Sequence, residues 1–313
     1  MPYLVEKKLS VVIPCYNEES NILELYARLS KAFQEITPQY EFIFVDNNSH
    51  DNTRGILREL AQKDNCVKVI LFARNYGISQ HGISAGTEYA SGEAVIWMEA
   101  DLQDSPEIIA EFVKKWQEGY DVVYGVRARL TGTLLSRFFR KLFYRSFHKL
   151  SYLDIPFDAG DFSLLDRKVV TAFNAMPERV RLVRGMRAWL GFRHTGIPYE
   201  RKERRRGATS NSSFSKNFWW AKKFIFSFSE APFAFITRVA VWLVVLLPFV
   251  IAALLMLAYL KTISWFAALV SAAAACILVL QTTALSFLGE SISIIFDEVK
   301  QRPKYVIEEK INF

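Results

Sequence analysis

Residues 1–125 alternate between short apolar runs and longer amphipathic stretches. Apolar runs rich in β-branched residues are typical of parallel strands that are covered on both faces. They predict strands at 9–14, 41–45, 67–72, 94–98 and 121–124. Helical periodicity between these runs predicts helices at 19–35, 52–63, 79–90 and 106–117. Alternation of this kind predicts an α/β fold with a mostly parallel sheet.

The pattern changes after Phe218, where apolar residues predominate. Two runs, about 239–260 and 263–289, contain no charged residue, and each exceeds the roughly 20 apolar residues that a membrane-spanning helix needs. Lys261 is the one charged residue between them, whereas both outer flanks carry several basic residues. Because basic residues favour the cytoplasmic side, we predict an antiparallel transmembrane hairpin with both ends in the cytoplasm. A buried hairpin in a soluble protein is the alternative, and runs of this length disfavour it.

The polarity pattern divides the chain into four parts. They are a soluble domain (1–215), juxtamembrane interfacial helices rich in aromatic residues and lysine (216–237), the two spans (238–290) and a cytoplasmic tail (291–313). Within the first domain, residues 134–150 place leucine and phenylalanine near helical spacing with arginines between them. This segment is predicted to be either an interfacial helix or an ordinary amphipathic helix packed on the domain.

Composition narrows the choice of partners. Hydrophobic residues make up 51% of the chain, and the net charge is +7. The basic residues cluster beside aromatic residues and close to the predicted spans, which favours a lipid bilayer over nucleic acid, and no nucleic-acid-binding motif is visible. The three cysteines have no metal-ligand spacing, and the N-terminus has no signal-peptide pattern. We therefore expect the first domain to stay in the cytoplasm.

Polar motifs follow three of the predicted strands. They occupy residues 12–18, 45–53 and 99–104. Taken singly each motif is weak, because Asp51 or Asn52 would serve as a helix cap and Glu18 as an acid in the first turn of a helix. Together they are stronger, because ligands of open α/β sheets bind beyond the carboxyl ends of the strands.

With these and further motifs the chain resembles the family 2 glycosyltransferases, which have the Rossmann-like nucleotide-sugar-binding fold called GT-A. It is most similar to the polyprenyl-phosphate glycosyltransferases, which include dolichol-phosphate mannose synthases and bactoprenol glucosyltransferases. The stretches that carry the resemblance are 12–18, 45–53, 73–77, 100–107, 160–162 and 288–305. They extend over essentially the whole chain, including both predicted spans.

The resemblance implies a UDP-sugar donor and a divalent metal, Mg²⁺ or Mn²⁺. Donor binding is expected from residues at the ends of the first, second and fourth strands: Pro14, Tyr16, Glu18, Asp46, Asn48, Glu99 and Gln103. Asp101 is the expected metal ligand, with Glu99 and Gln103 beside it, since hard cations prefer oxygen ligands and stabilise a diphosphate leaving group. Glu99 departs from the usual Asp of the family, and a purely structural acid is the alternative there.

The implied acceptor is a polyprenyl phosphate, whose oxygen is already anionic, so it needs positioning and positive charge more than a general base. Arginine suits phosphate contacts, and the candidates are Arg127, Arg129, Arg204 and Arg205. A solvated loop that binds lipid headgroups is the alternative for the basic cluster at 201–206. Asp161 matches the catalytic aspartate of the family, which makes Asp161, Asp101 and Arg127 the predicted catalytic residues. Ser163 stands where the family commonly has arginine.

The implied activity is an inverting transfer of sugar from a UDP-sugar to a polyprenyl phosphate at the cytoplasmic face of the cell membrane. Relatives also suggest a homo-oligomer. One alternative is a processive polysaccharide synthase, but residues 184–189 lack the Gln-x-x-Arg-Trp motif of that class, and only two spans are predicted. Another is a catalytically silent membrane scaffold, for which Glu99 and Ser163 are the only support.

Overall fold

The computed structural model describes residues 3–77, 79–127, 159–179, 181–202 and 263–313, together with scattered helical positions between 238 and 256. The chain forms two compact units. One contains Met1–Arg145, Leu153–Phe214 and Arg302–Phe313, and the other contains Ser146–Tyr152 and Ser215–Gln301. The predicted segments 134–150 and 216–237, with Arg129, Arg204 and Arg205, lie outside the described residues.

The first unit is built on one sheet. Its described strands are β1 (Leu9–Cys15), β2 (Tyr40–Asp46), β3 (Val67–Phe72), β4 (Ala94–Trp97), β5 (Val122–Arg127), β6 (Ala159–Asp166), β7 (His194–Tyr199) and β8 (Ile307–Ile311). They are ordered β7-β5-β6-β4-β1-β2-β3-β8. Strands β4, β1, β2 and β3 are parallel, as predicted, whereas β6 is antiparallel to β4 and β5, and β8 is antiparallel to β3. The prediction of a mostly parallel α/β fold is therefore confirmed.

Helices cover the sheet. They are α1 (Ile22–Ile36), α2 (Thr53–Lys63), α3 (Ser79–Tyr89), α4 (Ile109–Gln117, preceded by a 3-10 turn at Pro106–Ile108), α5 (Arg167–Ala175) and α6 (Val183–Trp189). Helix α1 shows why they form, because Ile22, Leu25, Leu29 and Phe33 recur at helical spacing and are all buried. Strand β1 is buried along its whole length, as expected for a strand covered on both faces.

The topology brings many strand termini to one edge of the sheet. Parallel β1, β2, β3 and β4 end there, and so do β5 and β7, which run parallel to each other. Strands β6 and β8 are antiparallel to their neighbours, so they begin at that edge instead. We call this the carboxyl edge of the sheet. It is the place where the predicted site residues can meet.

The main described element of the second unit is α7 (Ile263–Val299). Its segment Cys276–Ser293 is long and apolar enough to cross a membrane, with a mean hydropathy of 1.4, and it is the one segment of the described residues that meets this criterion. The helix extends ten residues beyond the predicted end of the second span at 289. Most of the first predicted span, 239–260, lies outside the described residues, so the hairpin stays a prediction.

Candidate active site

Glu99 and Asp161 face each other across neighbouring strands at the carboxyl edge. Strand β4 pairs with antiparallel β6 through Trp97 and Ser163. Glu99 lies two residues after Trp97 and Asp161 lies two residues before Ser163, so the antiparallel register brings the two acids opposite each other. Their proximity affects ionisation, since burial, followed by the charges of Asp161 and Asp101, raises the pKa of Glu99 to about 8. Without a bound cation, Glu99 therefore holds its proton at neutral pH, whereas an ordinary glutamate does not.

Asp161 is ionised because an arginine from α6 pairs with it. Arg184 donates from Nε to Oδ1 at 2.7 Å and from Nη2 to Oδ2 at 3.2 Å. Burial alone would raise the pKa of Asp161, but the charges of Arg184, Arg187 and Arg127 outweigh it and leave the pKa below its ordinary value. Two adjacent carboxyl groups thus have opposite tendencies, Glu99 to stay protonated and Asp161 to stay charged.

Arg187 lies one turn beyond Arg184, on the same face of α6. It is buried, donates from Nη1 to the carbonyl oxygen of Gly160 at 3.2 Å, and places its guanidinium 5.2 Å from the ring centre of Tyr124. Burial lowers its pKa to about 10, while Asp161 opposes that effect, so the side chain remains charged at neutral pH.

Arg127 ends β5 at the same place. Its Nε is buried and has no hydrogen-bond partner among the described residues. A Cβ added to Gly160 would lie 3.3 Å from Nη2 of Arg127, so the glycine lets the guanidinium approach the start of β6 closely. Arg127, Arg184 and Arg187 together form a cationic group around the carboxylate of Asp161.

The turn after β4 holds Asp101. Its Oδ1 accepts a hydrogen bond from the backbone N–H of Gln103 at 3.1 Å, and Leu102 between them has a positive φ of 59°. That conformation is unfavourable for leucine, and such strain is concentrated at functional sites. The side chain of Gln103 donates from Nε2 to the carbonyl oxygen of Lys202 at 3.3 Å, and the backbone carbonyl oxygen of Gln103 accepts from the Lys202 N–H at 3.0 Å.

Arg201 neutralises part of this acidic turn. Its Nη2 is 3.7 Å from Oδ2 of Asp101, and its Nε is 3.4 Å from Oδ1 of Asp104. Asp104 also accepts a hydrogen bond from the hydroxyl of Tyr199. Burial raises the pKa of Asp104, and Arg201 opposes this. Asp104 is thus paired with both Arg201 and Tyr199, whereas Asp101 has the longer contact of 3.7 Å between its Oδ2 and Arg201 Nη2.

The carboxylates of Glu99 and Asp101 suit a divalent cation that is shared with a substrate phosphate. Among the described residues, no three histidine, cysteine, aspartate or glutamate side chains form a ready-made metal cluster. Magnesium is usually held by one or two carboxylates together with substrate phosphates and not by an all-protein cage. Glu99 and Asp101 supply two such carboxylates, and a cation would offset the burial and the charges of Asp161 and Asp101 that raise the pKa of Glu99.

The predicted nucleotide-binding residues form a second group at the ends of β1 and β2. Asp46 is completely buried, and it accepts hydrogen bonds from the backbone N–H of Ser49 at 3.1 Å and from the Ser49 hydroxyl. Arg54 on α2 places its Nε 3.3 Å from Oδ2 of Asp46. Burial raises the pKa of Asp46, against these contacts. Asp46 therefore organises its own loop, and its contact with a base stays a prediction.

The loops after β1 and β2 are bonded to each other. Asn17 donates from its N–H to Ser49 Oγ at 2.9 Å, and Glu18 donates from its N–H to Thr53 Oγ1 at 2.9 Å. The carboxylate of Glu18 is buried and accepts from Asn21 Nδ2 at 2.5 Å. Asn17 and Asn48 both have positive φ angles, 54° and 60°, which asparagine tolerates better than most residues.

Tyr16 and Pro14 complete this group. Tyr16 is 40% exposed and its ring stands edge-on to His50 with 6.3 Å between ring centres, so a flat ligand could reach it. Pro14 packs against α3, where a Cβ on Gly82 would meet it at 2.8 Å. Pro14 thus lies at the end of β1, with Tyr16 and Glu18 in the loop that follows, while Asp46 ends the neighbouring β2 and Asn48 lies in the loop after it.

Several residues of the site were not among those predicted. They are Arg184, Arg187, Tyr199 and Arg54. Arg201 belongs to the basic cluster predicted at 201–206 and Asp104 to the motif at 99–104, but the sequence does not predict that these two residues pair with each other. The sequence does carry one signal for Arg184 and Arg187, because they are three residues apart on a short amphipathic helix. Their partner Asp161 is 23 residues earlier in the chain, and only the tertiary structure brings them together.

Comparison with known proteins gives the following similarities. The model of "Glycosyl transferase family 2" matches residues 10–173. An uncharacterized glycosyltransferase, sll0501, of Synechocystis is 38% identical over 317 residues, with 96% of this chain and 95% of the relative covered. The SfII prophage-derived bactoprenol glucosyl transferase of Shigella flexneri is 34% identical over 309 residues, with 96% of this chain and 97% of the relative covered.

Proposed function

The chain belongs to glycosyl transferase family 2 and is a glycosyltransferase, and on that basis we propose that it transfers a sugar from a UDP-sugar to a polyprenyl phosphate. We further propose that the transfer inverts the anomeric centre and takes place at the cytoplasmic face of the cell membrane. The name of the Shigella relative, a bactoprenol glucosyl transferase similar over nearly its full length, supports a lipid acceptor.

One observation carries the proposal. The ionised Asp161, paired with Arg184 and surrounded by Arg187 and Arg127, lies beside the acidic pair Glu99 and Asp101. Transfer of a sugar from a nucleoside diphosphate to an acceptor phosphate must bring two anions together, which requires positive charge on both sides of the sugar. The arginines would supply it on the acceptor side, and a cation held by the acidic pair would supply it on the donor side.

The bond changes are simple. An oxygen of the acceptor phosphate attacks the anomeric carbon, the bond from that carbon to the donor phosphate oxygen breaks, and UDP leaves with the electron pair. No proton has to be removed, since the second pKa of a phosphate monoester is near 6. Attack from the side opposite UDP inverts the carbon. Asp161 therefore needs no role as a base, and we assign it and Arg184 to orienting the acceptor.

Glu99 and Asp101, with Gln103 adjacent, would hold Mg²⁺ or Mn²⁺. When bound, such an ion offsets the charge that develops on the leaving diphosphate. The raised pKa of Glu99 means that this residue must release a proton before its carboxylate can serve as a ligand. The loops that carry Tyr16, Glu18 and Asn48 would hold the uridine, close to the same edge of the sheet.

The membrane attachment is part of the proposal. Helix α7 provides a segment of suitable length and polarity, and we propose that it pairs with the predicted span at 239–260 to anchor the enzyme with both termini in the cytoplasm. Attachment would let the acceptor phosphate reach the arginines while its polyprenyl chain remains in the bilayer.

A single assay separates this activity from its alternatives. Purified full-length protein is incubated with a panel of UDP-sugars, Mg²⁺ or Mn²⁺ and a short polyprenyl phosphate, and the lipids are analysed by mass spectrometry. Addition of one hexose supports the proposal, and the donor that gives it identifies the sugar. Long polymers would instead indicate a processive synthase. No product with any donor, together with no metal-dependent UDP binding, would indicate a silent scaffold.

Replacement of the expected metal ligand tests the chemistry. Asp101→Asn keeps the hydrogen bond from Gln103 but removes the charge, and we expect transfer to fall by roughly 10²-fold or more. Glu107→Gln is the matched control, because Glu107 is an exposed acid of the 3-10 turn at Pro106–Ile108 and pairs with Arg28 of α1. Unchanged turnover in Asp101→Asn would refute the metal assignment.

A further inference from the structure

The chain segment that follows α7 returns to the sheet of the first unit. Arg302–Phe313 belongs to that unit, and β8 adds to the sheet as its edge strand by pairing with β3 through Phe72 and Ile307. The start of β8 therefore lies at the carboxyl edge. We call residues 305–308 the C-terminal clasp, because they contact Arg54 at the start of α2 and Tyr76 in the loop after β3.

The first contact runs through Arg54. Its Nη2 is 2.5 Å from Oε2 of Glu308, while its Nε is 3.3 Å from the buried carboxylate of Asp46. The same guanidinium lies 3.5 Å from Oδ1 of Asn48 and 3.4 Å from the carbonyl oxygen of Phe72. Arg54 is thus held between the clasp and the loop after β2. A change at Glu308 alters the restraint on a side chain that itself restrains Asp46 and Asn48.

The second contact runs through Tyr76, in the loop after β3. Val306 donates from its backbone N–H to the Tyr76 hydroxyl at 2.9 Å. Tyr76 in turn donates from its own N–H to Oδ1 of Asn47 at 2.9 Å, and Asn47 donates to Oδ1 of Asn75 at 3.1 Å. The clasp therefore reaches the loop after β2 by two independent routes, one ionic and one through neutral hydrogen bonds.

Stacking and backbone pairing fix the clasp itself. The ring of Tyr305 stacks on Phe72 with 5.1 Å between ring centres and 14° between planes, and its hydroxyl donates to Glu88. Ala73 donates to the carbonyl oxygen of Val306 at 3.0 Å. The clasp is consequently a positioned element, able to impose its geometry on the side chains that it contacts.

We propose that the clasp is a positioning element of the nucleotide site, with Glu308 and Tyr76 as the residues through which it sets the loop that carries Asp46, Asn47 and Asn48. This inference rests on the proposed function, since it takes that loop to bind the uridine of the donor. It predicts that weakening the clasp reduces affinity for UDP and for the donor while leaving the acceptor site and the chemical step unaffected.

The chain offers a matched control one residue away. Glu309 forms an ion pair with Arg58 at 2.6 Å, from the same strand to the same helix and only one helical turn further along. Within the described part of the chain, Arg58 makes no hydrogen bond or ion pair with Asp46, Asn47 or Asn48, so this pair attaches β8 without touching the nucleotide loop. Comparing Glu308→Gln with Glu309→Gln separates a positioning role from simple attachment of the strand.

The experiment uses the full-length protein in detergent micelles. Isothermal titration measures the Kd of UDP in the presence of Mn²⁺, initial rates give KM and kcat for donor and acceptor, and thermal unfolding gives Tm. For Glu308→Gln and for Tyr76→Phe we expect the Kd of UDP and the donor KM to rise by roughly three- to tenfold, the range of a lost ion pair or hydrogen bond. The kcat and the acceptor KM should change less than about twofold. Glu309→Gln should leave all of these values unchanged.

Two results would overturn the positioning role while leaving the proposed function intact. One is equal UDP affinity in Glu308→Gln and Glu309→Gln. The other is a loss of affinity that accompanies the same fall in Tm in both variants, since that would reflect loosening of β8 in general. If the unsubstituted protein transferred sugar from no UDP-sugar and bound no UDP, the proposed function would fail, and the clasp's role in it would fail as well.

Discussion

Replacing Glu99 by glutamine should stabilise the metal-free protein by an amount that grows as the pH rises above about 4.5 and is largest above pH 8. The pKa of Glu99 is about 8 in the folded protein, against 4.5 for an unperturbed glutamate. A raised pKa means that the fold prefers the protonated acid, so the folded state loses stability as the pH rises from about 4.5 to about 8. Glutamine has nearly the shape of the neutral acid and cannot ionise. The variant therefore avoids that loss.

The magnitude follows from the difference in pKa. Each pKa unit corresponds to about 1.4 kcal/mol, which gives an upper bound of about 5 kcal/mol in favour of glutamine above pH 8. Glu99 is only half-buried, and water reduces the penalty for a charge there, so we expect about 2–3 kcal/mol. For a domain of this size, that corresponds to a rise in Tm of roughly 4–10 °C.

Thermal unfolding of the full-length protein in detergent with EDTA tests this at pH 5 and at pH 8.5. The Tm of Glu99→Gln should match that of the unsubstituted protein at pH 5 and exceed it at pH 8.5. Glu41→Gln is a control of opposite sign, because Glu41 is buried and paired with Lys8 and Lys68. It should lower Tm at both pH values.

A fall in the Tm of Glu99→Gln at pH 8.5, or an equal change at both pH values, would refute the reasoning. Either result would mean that the charged form of Glu99 is stabilised by partners within the fold. Glu99 would then be the structural acid that the sequence also allows, and the cation site would lose one of its two carboxylates.

Two further predictions concern ion pairs at opposite edges of the sheet, Arg184 with Asp161 and Glu41 with its lysines. Arg184→Lys removes the two hydrogen bonds that the guanidinium donates to Asp161, so we expect kcat to fall by roughly 10- to 100-fold. Because the pKa of Asp161 should rise, the acid limb of the pH–rate profile should move to higher pH. An unshifted limb would contradict this prediction. Glu41→Gln should cost on the order of 3 kcal/mol at pH 7 in urea unfolding. Burial raises the pKa of Glu41, but its hydrogen bonds from Ser10, Ser91 and the two lysines lower it to about 2, so the difference from the unsubstituted protein should shrink as the pH falls below about 4.5.

The sequence predicts the first half of the sheet well and the second half poorly, for physical reasons. Strands β1 to β4 are buried on both faces, so each appears as an apolar run. Strand β7 contains Gly196 and Pro198, which argue against a strand, and it is tolerated at the edge of the sheet. Strand β8 reads Ile-Glu-Glu-Lys-Ile, and its charges are typical of an exposed edge and give no apolar signal.

The candidate site shows the same division. Motifs at strand ends and the resemblance to family 2 indicate Asp101, Glu99 and Asp161, because these residues lie next to elements that can be recognised. Arg184 and Arg54 could not be identified in this way, since an arginine on a helix is ordinarily a solvated residue. Their importance comes from contacts with Asp161 and Asp46, and those contacts depend on how helices α6 and α2 pack.

The direction of β6 is what makes the site. Asp161 stands near the start of this strand, which spans Ala159–Asp166, and a strand of that length extends roughly 25 Å. Had β6 run parallel to β4, its start would lie at the opposite edge of the sheet, and Asp161 would be separated from Glu99 by most of the strand. The antiparallel pairing of Trp97 with Ser163 instead sets the two acids side by side. The same reversal brings Gly160 against Arg127 and Arg187, so one change of strand direction assembles both the acidic and the cationic parts of the site.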